Sequence, residues 1–392
     1  MRVRRAWPCF GLTLCLLACV PEDSNEGPPV PFAGPDGSGG DASVTDPGQD
    51  AVVPDPFTPP RSLVIATYNV ENLFDLRDDP DTDEGEFTPR AGQWDAAQLT
   101  QRLTHLSRVL IALDADVVAL NELENVEVLA QLRDAIVEAG GERYPYLGHA
   151  NSRDPRGIDV SLLSRYPVLF QIGRPINKAH PCLDEDGAPV TLDGSHPEAR
   201  PVLQVDVNVD ADPEADLTFL VNHWKAKGRT SFPCDDDEHR LRSGHFLAEL
   251  VDGLRRDRPL VGIIAMGDFN AFEFEAPLEQ ALDARLVLDP RPRLFNAWAG
   301  GGVTPHDRND NRWNNAQNSS YNFSGDWTRL DHLLLTPDLV DGSGEWRLVP
   351  DSMGPLSAGY LLSGGRPSSW DLETGAGYSD HLPVRLTLER TD

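Results

Sequence analysis

Acidic, amide and imidazole side chains recur in this sequence at the edges of short apolar runs, in a pattern suited to holding a hard cation. Gly267-Asp268-Phe269-Asn270 follows the apolar run 260–266 and sets a carboxylate and a carboxamide two residues apart. Asn69 and Glu71, also i and i+2, follow the β-rich run 62–68. Glu122 follows 116–120, His223 follows 216–221, Asp331 lies within 329–336, and Asp380-His381 precedes 382–388. In an extended chain, residues i and i+2 project to the same side, so each pair would converge. Taken singly, each is an ordinary polar or Asx turn, and a lone strand-end His is more often structural than catalytic. Six such endings in one chain predict a shared rim. Carboxylates gathered there repel one another unless a cation lies among them. Oxygen donors select Mg²⁺ or Mn²⁺, and the lack of a thiolate pattern argues against structural zinc.

These residues need strands to hold them. The run 260–266 reads as a strand buried on both faces, with Gly267 expected to turn the chain sharply out of the sheet. Further strands are predicted at 62–68, 116–120, 158–164, 168–172, 216–221, 329–336 and 382–388, and 201–209 alternates like a half-exposed strand. Leu99, Leu103, Leu106, Leu110 and Leu113 recur at helical spacing over 95–113. Residues 126–139 and 238–258 also read as helices, the latter with Leu241, His245 or Phe246, and Leu250 along one side. Asp159, a carboxylate inside an apolar strand, requires a partner or a ligand. The polar stretch 296–328 carries Trp298, Trp313, Tyr321, Phe323 and Trp327. It could stack a base or sugar, or be a surface loop pinned by its own aromatics.

The beginning of the chain reads as an address. Arg2, Arg4 and Arg5 precede a short apolar stretch ending at Cys19, too short to span a bilayer and shaped like a secretory signal. Leu16-Leu17-Ala18-Cys19 looks like a lipobox, so 1–18 is expected to be removed and Cys19 to carry lipid. That would anchor the protein to the cell envelope, at the outer membrane in a Gram-negative cell; plain secretion is the alternative. Residues 19–60 are rich in Pro, Gly, Asp and Ser and read as a flexible tether. Residues 61–392 would then be one domain, acting as a monomer. Cys182 and Cys234 sit in polar loops after prolines and are expected to form a disulfide in an oxidising compartment. The formal charge of −29 grows more negative by three when the signal's arginines leave. Such a body repels nucleic acid and anionic lipid at long range, which counts against a tight non-specific nucleic-acid binder. It counts less against an enzyme whose metal neutralises the substrate phosphate.

Residues 67–75 (Thr-Tyr-Asn-Val-Glu-Asn-Leu-Phe-Asp), Asn121-Glu122, Asn222-His223-Trp224-Lys225, Gly267-Asp268-Phe269-Asn270, Arg329-Leu330-Asp331 and Ser379-Asp380-His381 together resemble the endonuclease/exonuclease/phosphatase superfamily in order and spacing. The resemblance runs from residue 61 to 392. It implies an α+β fold, a four-layer α/β/β/α sandwich of two mixed sheets packed face to face with helices outside. It also implies Glu122 as principal metal ligand, with Asn69, Glu71 and Asp380 beside it. Asp268 would orient or deprotonate the attacking water with Asn270; His381, held by Asp331, would contact the scissile phosphate; His223 would support the phosphate or leaving group. Asn121 departs from the Gln common before the metal Glu. The implied activity is divalent-metal phosphodiester hydrolysis, with extracellular DNA or RNA as the leading substrate. A sphingomyelinase-like or phosphomonoester hydrolase is the alternative, and a catalytically silent surface binding protein is a third reading.

Overall fold

The structure, a computed structural model, describes residues 59–80, 82–152, 154–176, 200–210, 213–228, 236–301 and 315–391. The expected signal, nearly all of the tether, Cys19, Cys182, Cys234 and Trp313 lie outside these residues. In chain order the main strands are β1 (Ser62–Leu73), β2 (Val117–Leu123), β3 (Tyr146–Ala150), β4 (Asp159–Ser164), β5 (Val168–Arg174), β6 (Val202–Val207) and β7 (Leu217–His223). They continue with β8 (Gly262–Asp268), β9 (Ala284–Arg285), β10 (Leu294–Asn296), β11 (Asp331–Leu335), β12 (Trp346–Leu348) and β13 (Val384–Arg390). Two seven-stranded sheets result. The first is ordered β12-β13-β1-β2-β4-β3, with Gly354–Pro355 also pairing β13; the second is ordered β5-β6-β7-β8-β11-β10-β9.

Alternation along each strand assigns residues to layers. On β1, Leu63 and Ile65 face the second sheet and join Val205, Phe219, Ile264 and Leu333 in the central core. Ala66, Tyr68 and Val70 face outward against α1 (Ala96–Leu113) and α2 (Val126–Glu138). On the far side, Leu220, Ile263, Ala265 and Leu334 meet Leu247 and Val251 of α3 (Asp236–Asp257). The central strands of both sheets are covered on both faces, the four-layer α/β/β/α arrangement expected, while the edge strand β5 is exposed from Leu169 to Ile172. α1 starts where Asp95 accepts the N–H groups of Ala97 and Gln98, a cap worth about 1 kcal/mol. α2 starts likewise at Asn125, which accepts from Val128 N–H.

Several expectations change. β6 is buried at all six positions rather than half-exposed. Its polar residues are paired inside: Gln204 Oε1 accepts from Arg174 and Asp206 accepts from Arg258 and Thr218, so alternation there does not mark a wet face. The buried side of α3 is Gly244, Leu247, Ala248 and Val251, with His245 exposed. Gly244 sets this side, because a Cβ there would lie 2.4 Å from Pro277 O. Leu260 is 90% exposed and β8 begins two residues later. Asp159 has partners of its own: it accepts from Ser152 N–H (2.5 Å) and lies 3.2 Å from His149 Nε2. The edge strand β3 carries no strong apolar pattern and was not foreseen.

Candidate active site

The rim is built from strand ends that turn in unusual backbone conformations. β8 does not leave its sheet at Gly267: Gly267 pairs with Asn222 of β7, and Asp268 pairs with both His223 and Asp331. Glycine is needed there for a different reason. Its φ is +133°, and a Cβ would fall 1.9 Å from Asn222 O. The exit comes at Asn270, φ 48°, whose N–H bonds Asp268 Oδ1 at 2.8 Å. β1 ends the same way, since Asn69 Oδ1 accepts Glu71 N–H at 3.0 Å and Glu71 and Asn72 take φ 53° and 60°. Glu122, φ 67°, sits in a register break of β2 between Asn121 and Leu123. Each left-handed non-glycine residue costs roughly 1–3 kcal/mol, and such residues gather where surrounding structure enforces them. The paired residues converge through Asx turns, not extended alternation, so the turn reading and the functional reading describe the same side chains.

These turns bring distant segments together. Asn69 Nδ2 donates to Glu122 Oε1 (3.3 Å) and Asp268 Oδ2 (3.2 Å). His223 Nε2 lies 3.5 Å from Glu122 and 3.8 Å from Asp268. Asn270 Nδ2 donates to Asp268 Oδ2 and to Trp224 O, both at 3.1 Å. His381 Nδ1 bonds Asp331 Oδ2 at 2.7 Å, while its Nε2 stands 3.9 Å from Asp268 Oδ2. Glu122 and His381 therefore face one pocket. Asn121 is fully buried and joins the sheets: its Oδ1 accepts Asp268 N–H (3.1 Å) and its Nδ2 donates to Asn222 O (3.0 Å). Glu71 Oε2 accepts Trp370 N–H at 2.8 Å. Beside Glu71 opens a cleft of about 410 Å³, lined also by Glu86, Phe87, Trp370 and Glu373.

Electrostatics divide the rim. Burial, reinforced by Asp380, pushes the Glu71 carboxyl up to about 7 against the pull of Arg102. Burial raises Asp380 as well, with Glu122 adding and His381 opposing. Burial pushes Asp268 up to about 7, opposed by His381. Burial alone would lower the His381 imidazole, but Asp331, Asp380 and Asp268 outweigh it and hold the ring well above its usual value. Burial, aided by Arg200, drives His223 well below the ordinary range, so it stays neutral. Glu71, Glu122 and Asp380 offer only oxygen donors and a surplus of negative charge, a set that fits a hard divalent cation; Asn69 beside them turns its Nδ2 to Glu122 and keeps its Oδ1 on Glu71 N–H. The set is open: among the described residues, the triplets of ligand atoms within 4.8 Å of one another lie elsewhere.

Three further residues support the rim; sequence reading assigned no role to Arg102, named Ser379 only as part of its motif, and named Tyr321 only among the aromatics of 296–328. Arg102, fully buried on the apolar face of α1, donates to the carbonyls of Val70, Glu71 and Tyr378. Its position between Leu99 and Leu106 was the available signal, since an arginine on an apolar stripe must have buried acceptors. Ser379 Oγ donates to Asn69 O (2.7 Å) and accepts His381 N–H (3.0 Å). Tyr321 lies against the His381 ring, centroids 4.6 Å apart, whereas Trp298 of the same stretch is buried and donates to Asp331 O at 2.9 Å. Phe323 remains 67% exposed.

A sequence model of the Endonuclease/Exonuclease/phosphatase family matches residues 64–390. No curated protein matches the chain. Among solved structures, a humanized TDP2 of D. rerio is 15% identical over 84% of this chain and 100% of that chain, with a TM-score of 0.50. An endonuclease/exonuclease/phosphatase family protein of Bacteroides thetaiotaomicron is 16% identical, covering 85% and 96%, at a TM-score of 0.49. A mannosyl-6-phosphatase of the same organism is also 16% identical, covering 83% and 99%, at 0.49.

Proposed function

Because the chain belongs to the endonuclease/exonuclease/phosphatase family, whose members are phosphoesterases that typically depend on a divalent metal, we propose that it is a Mg²⁺- or Mn²⁺-dependent phosphodiesterase acting on nucleic acid at the cell envelope or outside the cell. The observation that carries this reading is Asp268: only 2% exposed, fixed by Asn69 and Asn270, and within 4 Å of both His223 and His381. Asp268 takes the proton of the water that attacks phosphorus in line with the leaving oxygen, and Asn270 holds the receiving oxygen. His381, oriented by Asp331, turns Nε2–H toward the pocket and stabilises the charge developing on the phosphoryl oxygens. Neutral His223 supports the phosphate or the leaving group. Glu122, with Asn69, Glu71 and Asp380, would hold the cation, which supplies Lewis-acid polarisation when bound. In the same reading Cys19 carries a lipid anchor, Cys182 and Cys234 are paired, and the protein acts as a monomer.

The cleft favours a second reading. Its walls carry Glu71, Glu86, Asp371 and Glu373, which repel a long polyanion more than a substrate with one phosphate, a phosphomonoester or a phospholipid headgroup. A panel of plasmid DNA, RNA, sphingomyelin and a phosphomonoester, each with Mg²⁺ or Mn²⁺, separates the two. The expected result is nucleic-acid hydrolysis that chelator abolishes and Asp268→Ala removes. Turnover confined to sphingomyelin or the monoester replaces the first reading with the second. Near-normal hydrolysis of every substrate by Asp268→Ala removes both.

A further inference from the structure

Away from the rim, a second acidic cluster underlies the loop between β1 and α1. Asp79 and Glu84 in that loop, and Glu124 just past β2, each bring one carboxylate oxygen to within 4.8 Å of the others. Glu84 is 4% exposed and Glu124 6%. One oxygen of each serves the local backbone. Glu84 Oε1 accepts from Asp79 N–H and Thr82 Oγ1, both at 2.9 Å, and Glu124 Oε2 accepts from Asp75 N–H at 2.6 Å. Their other oxygens, Glu84 Oε2 and Glu124 Oε1, are buried with no hydrogen-bond partner. Among the described residues no ion pair joins any of the three to a cationic side chain. Leaving one buried carboxylate oxygen unpaired costs about 1–3 kcal/mol or more, and two in one cluster cost more. Among the described residues these two oxygens find neither donor nor counter-charge, a demand that a cation from solution would meet.

We propose that Asp79, Glu84 and Glu124 bind a divalent cation of the Ca²⁺ class, separate from the one assigned to Glu122. Loop-borne, oxygen-only donors of unequal exposure suit the flexible coordination of Ca²⁺ better than the rigid octahedron of Mg²⁺. The role is structural. Phe87 of this loop stacks on Phe74 (5.3 Å) and meets Trp94 edge-on (5.5 Å), and Trp94 Nε1 donates to Asp75 O at 2.8 Å. Glu86 and Phe87 also wall the cleft beside Glu71, so the cation fastens that wall to the end of β2, two residues beyond Glu122. The other tight acidic triplet, Asp210, Asp216 and Glu345, makes no such demand, since Arg390 pairs with Asp210 (3.1 Å) and with Glu345.

The test is equilibrium dialysis of the chelator-stripped full chain against radiolabelled Ca²⁺, with thermal melting in parallel. Four proteins are compared: wild type, Glu122→Gln, Glu84→Gln and Asp79→Asn. Glu122→Gln is expected to retain a Ca²⁺ site and a Ca²⁺-dependent rise in Tm, and Glu84→Gln to lose both. Asp79→Asn, an exposed change that leaves the fold intact, is expected to weaken Ca²⁺ at least about tenfold. Should Glu84→Gln not fold, Asp79→Asn decides. Unchanged Ca²⁺ uptake and melting in Asp79→Asn and Glu84→Gln overturn the proposal, as does loss of all bound Ca²⁺ in Glu122→Gln. Neither readout involves hydrolysis, so failure here and failure of the proposed activity are distinguishable.

Discussion

The two sheets bring opposite kinds of chemistry to one rim. The first supplies Glu71, Glu122 and Asp380, partly exposed carboxylates that burial and mutual repulsion leave short of counter-charge. The second supplies His223, Asp268, Asn270 and Asp331, between 0% and 7% exposed. Asp268 there receives three side-chain and backbone donors. His381 precedes the last strand of the first sheet but is tied to Asp331 of the second. In the proposed reading, the side that would handle protons is fixed by the fold, and the side that would hold the cation carries the surplus of negative charge. Rigidity and charge deficit are divided between two layers.

Substitutions can break or sharpen that division. The largest effect is expected from Asp268→Asn, which keeps shape and removes the base: turnover of the folded protein should fall about 10²–10⁴-fold. Its melting temperature should also fall, because the new NH₂ meets the donors of Asn69 or Asn270. A loss below tenfold would place the base elsewhere. On the other side, Glu122→Gln should raise the Mg²⁺ or Mn²⁺ concentration needed for half-maximal activity about 10–100-fold. A metal titration of activity reads this, and an unshifted curve would mean that the first sheet is not the cation side. Asp331→Asn, which leaves His381 without its anchoring carboxylate, should lower kcat about tenfold or more with little change in KM, because it acts through ring orientation. Equal changes in both constants would contradict that role.

The smallest effect concerns stability. Burial keeps His332, on β11, below its ordinary value of 6.5 despite Glu273 and the bond to Ala271 O. The unfolded chain takes up this proton near 6.5 and the folded chain resists it. The stability His332 contributes is therefore present above 6.5 and lost as pH falls below it. His332→Gln should flatten the acid limb of a Tm–pH profile, and an identical slope in wild type and variant would refute it.

Sequence alone disclosed the apolar parts of β1, β7 and β8, because a strand covered on both faces is largely apolar. It did not disclose their ends: β1 runs on to Leu73, β7 to His223 and β8 to Asp268, so the polar side chains lie inside the last residues of the strands. It disclosed the nine rim residues by the same contrast, and the layering through the family resemblance. It could not disclose that Glu71, Glu122 and Asn270 stand in left-handed backbone, since Asn enters that state readily but equally well avoids it, and Glu tolerates it only when tertiary contacts enforce it. Gly267 was legible as special and misread in cause, because the carbonyl it accommodates belongs to β7, some forty-five residues away in the chain. Burial of Gln204 and Asp206 was hidden for a similar reason: their partners, Arg174 and Arg258, are distant in sequence.

Asn121 gives the sandwich a further property. Its carboxamide spans from the first sheet to two backbone groups of the second, at Asp268 and Asn222. Sliding one layer over the other would break that bridge and shift Asp268 against Glu122 while leaving each sheet whole. Remote core substitutions that let the layers slip should therefore silence the enzyme well before they melt it.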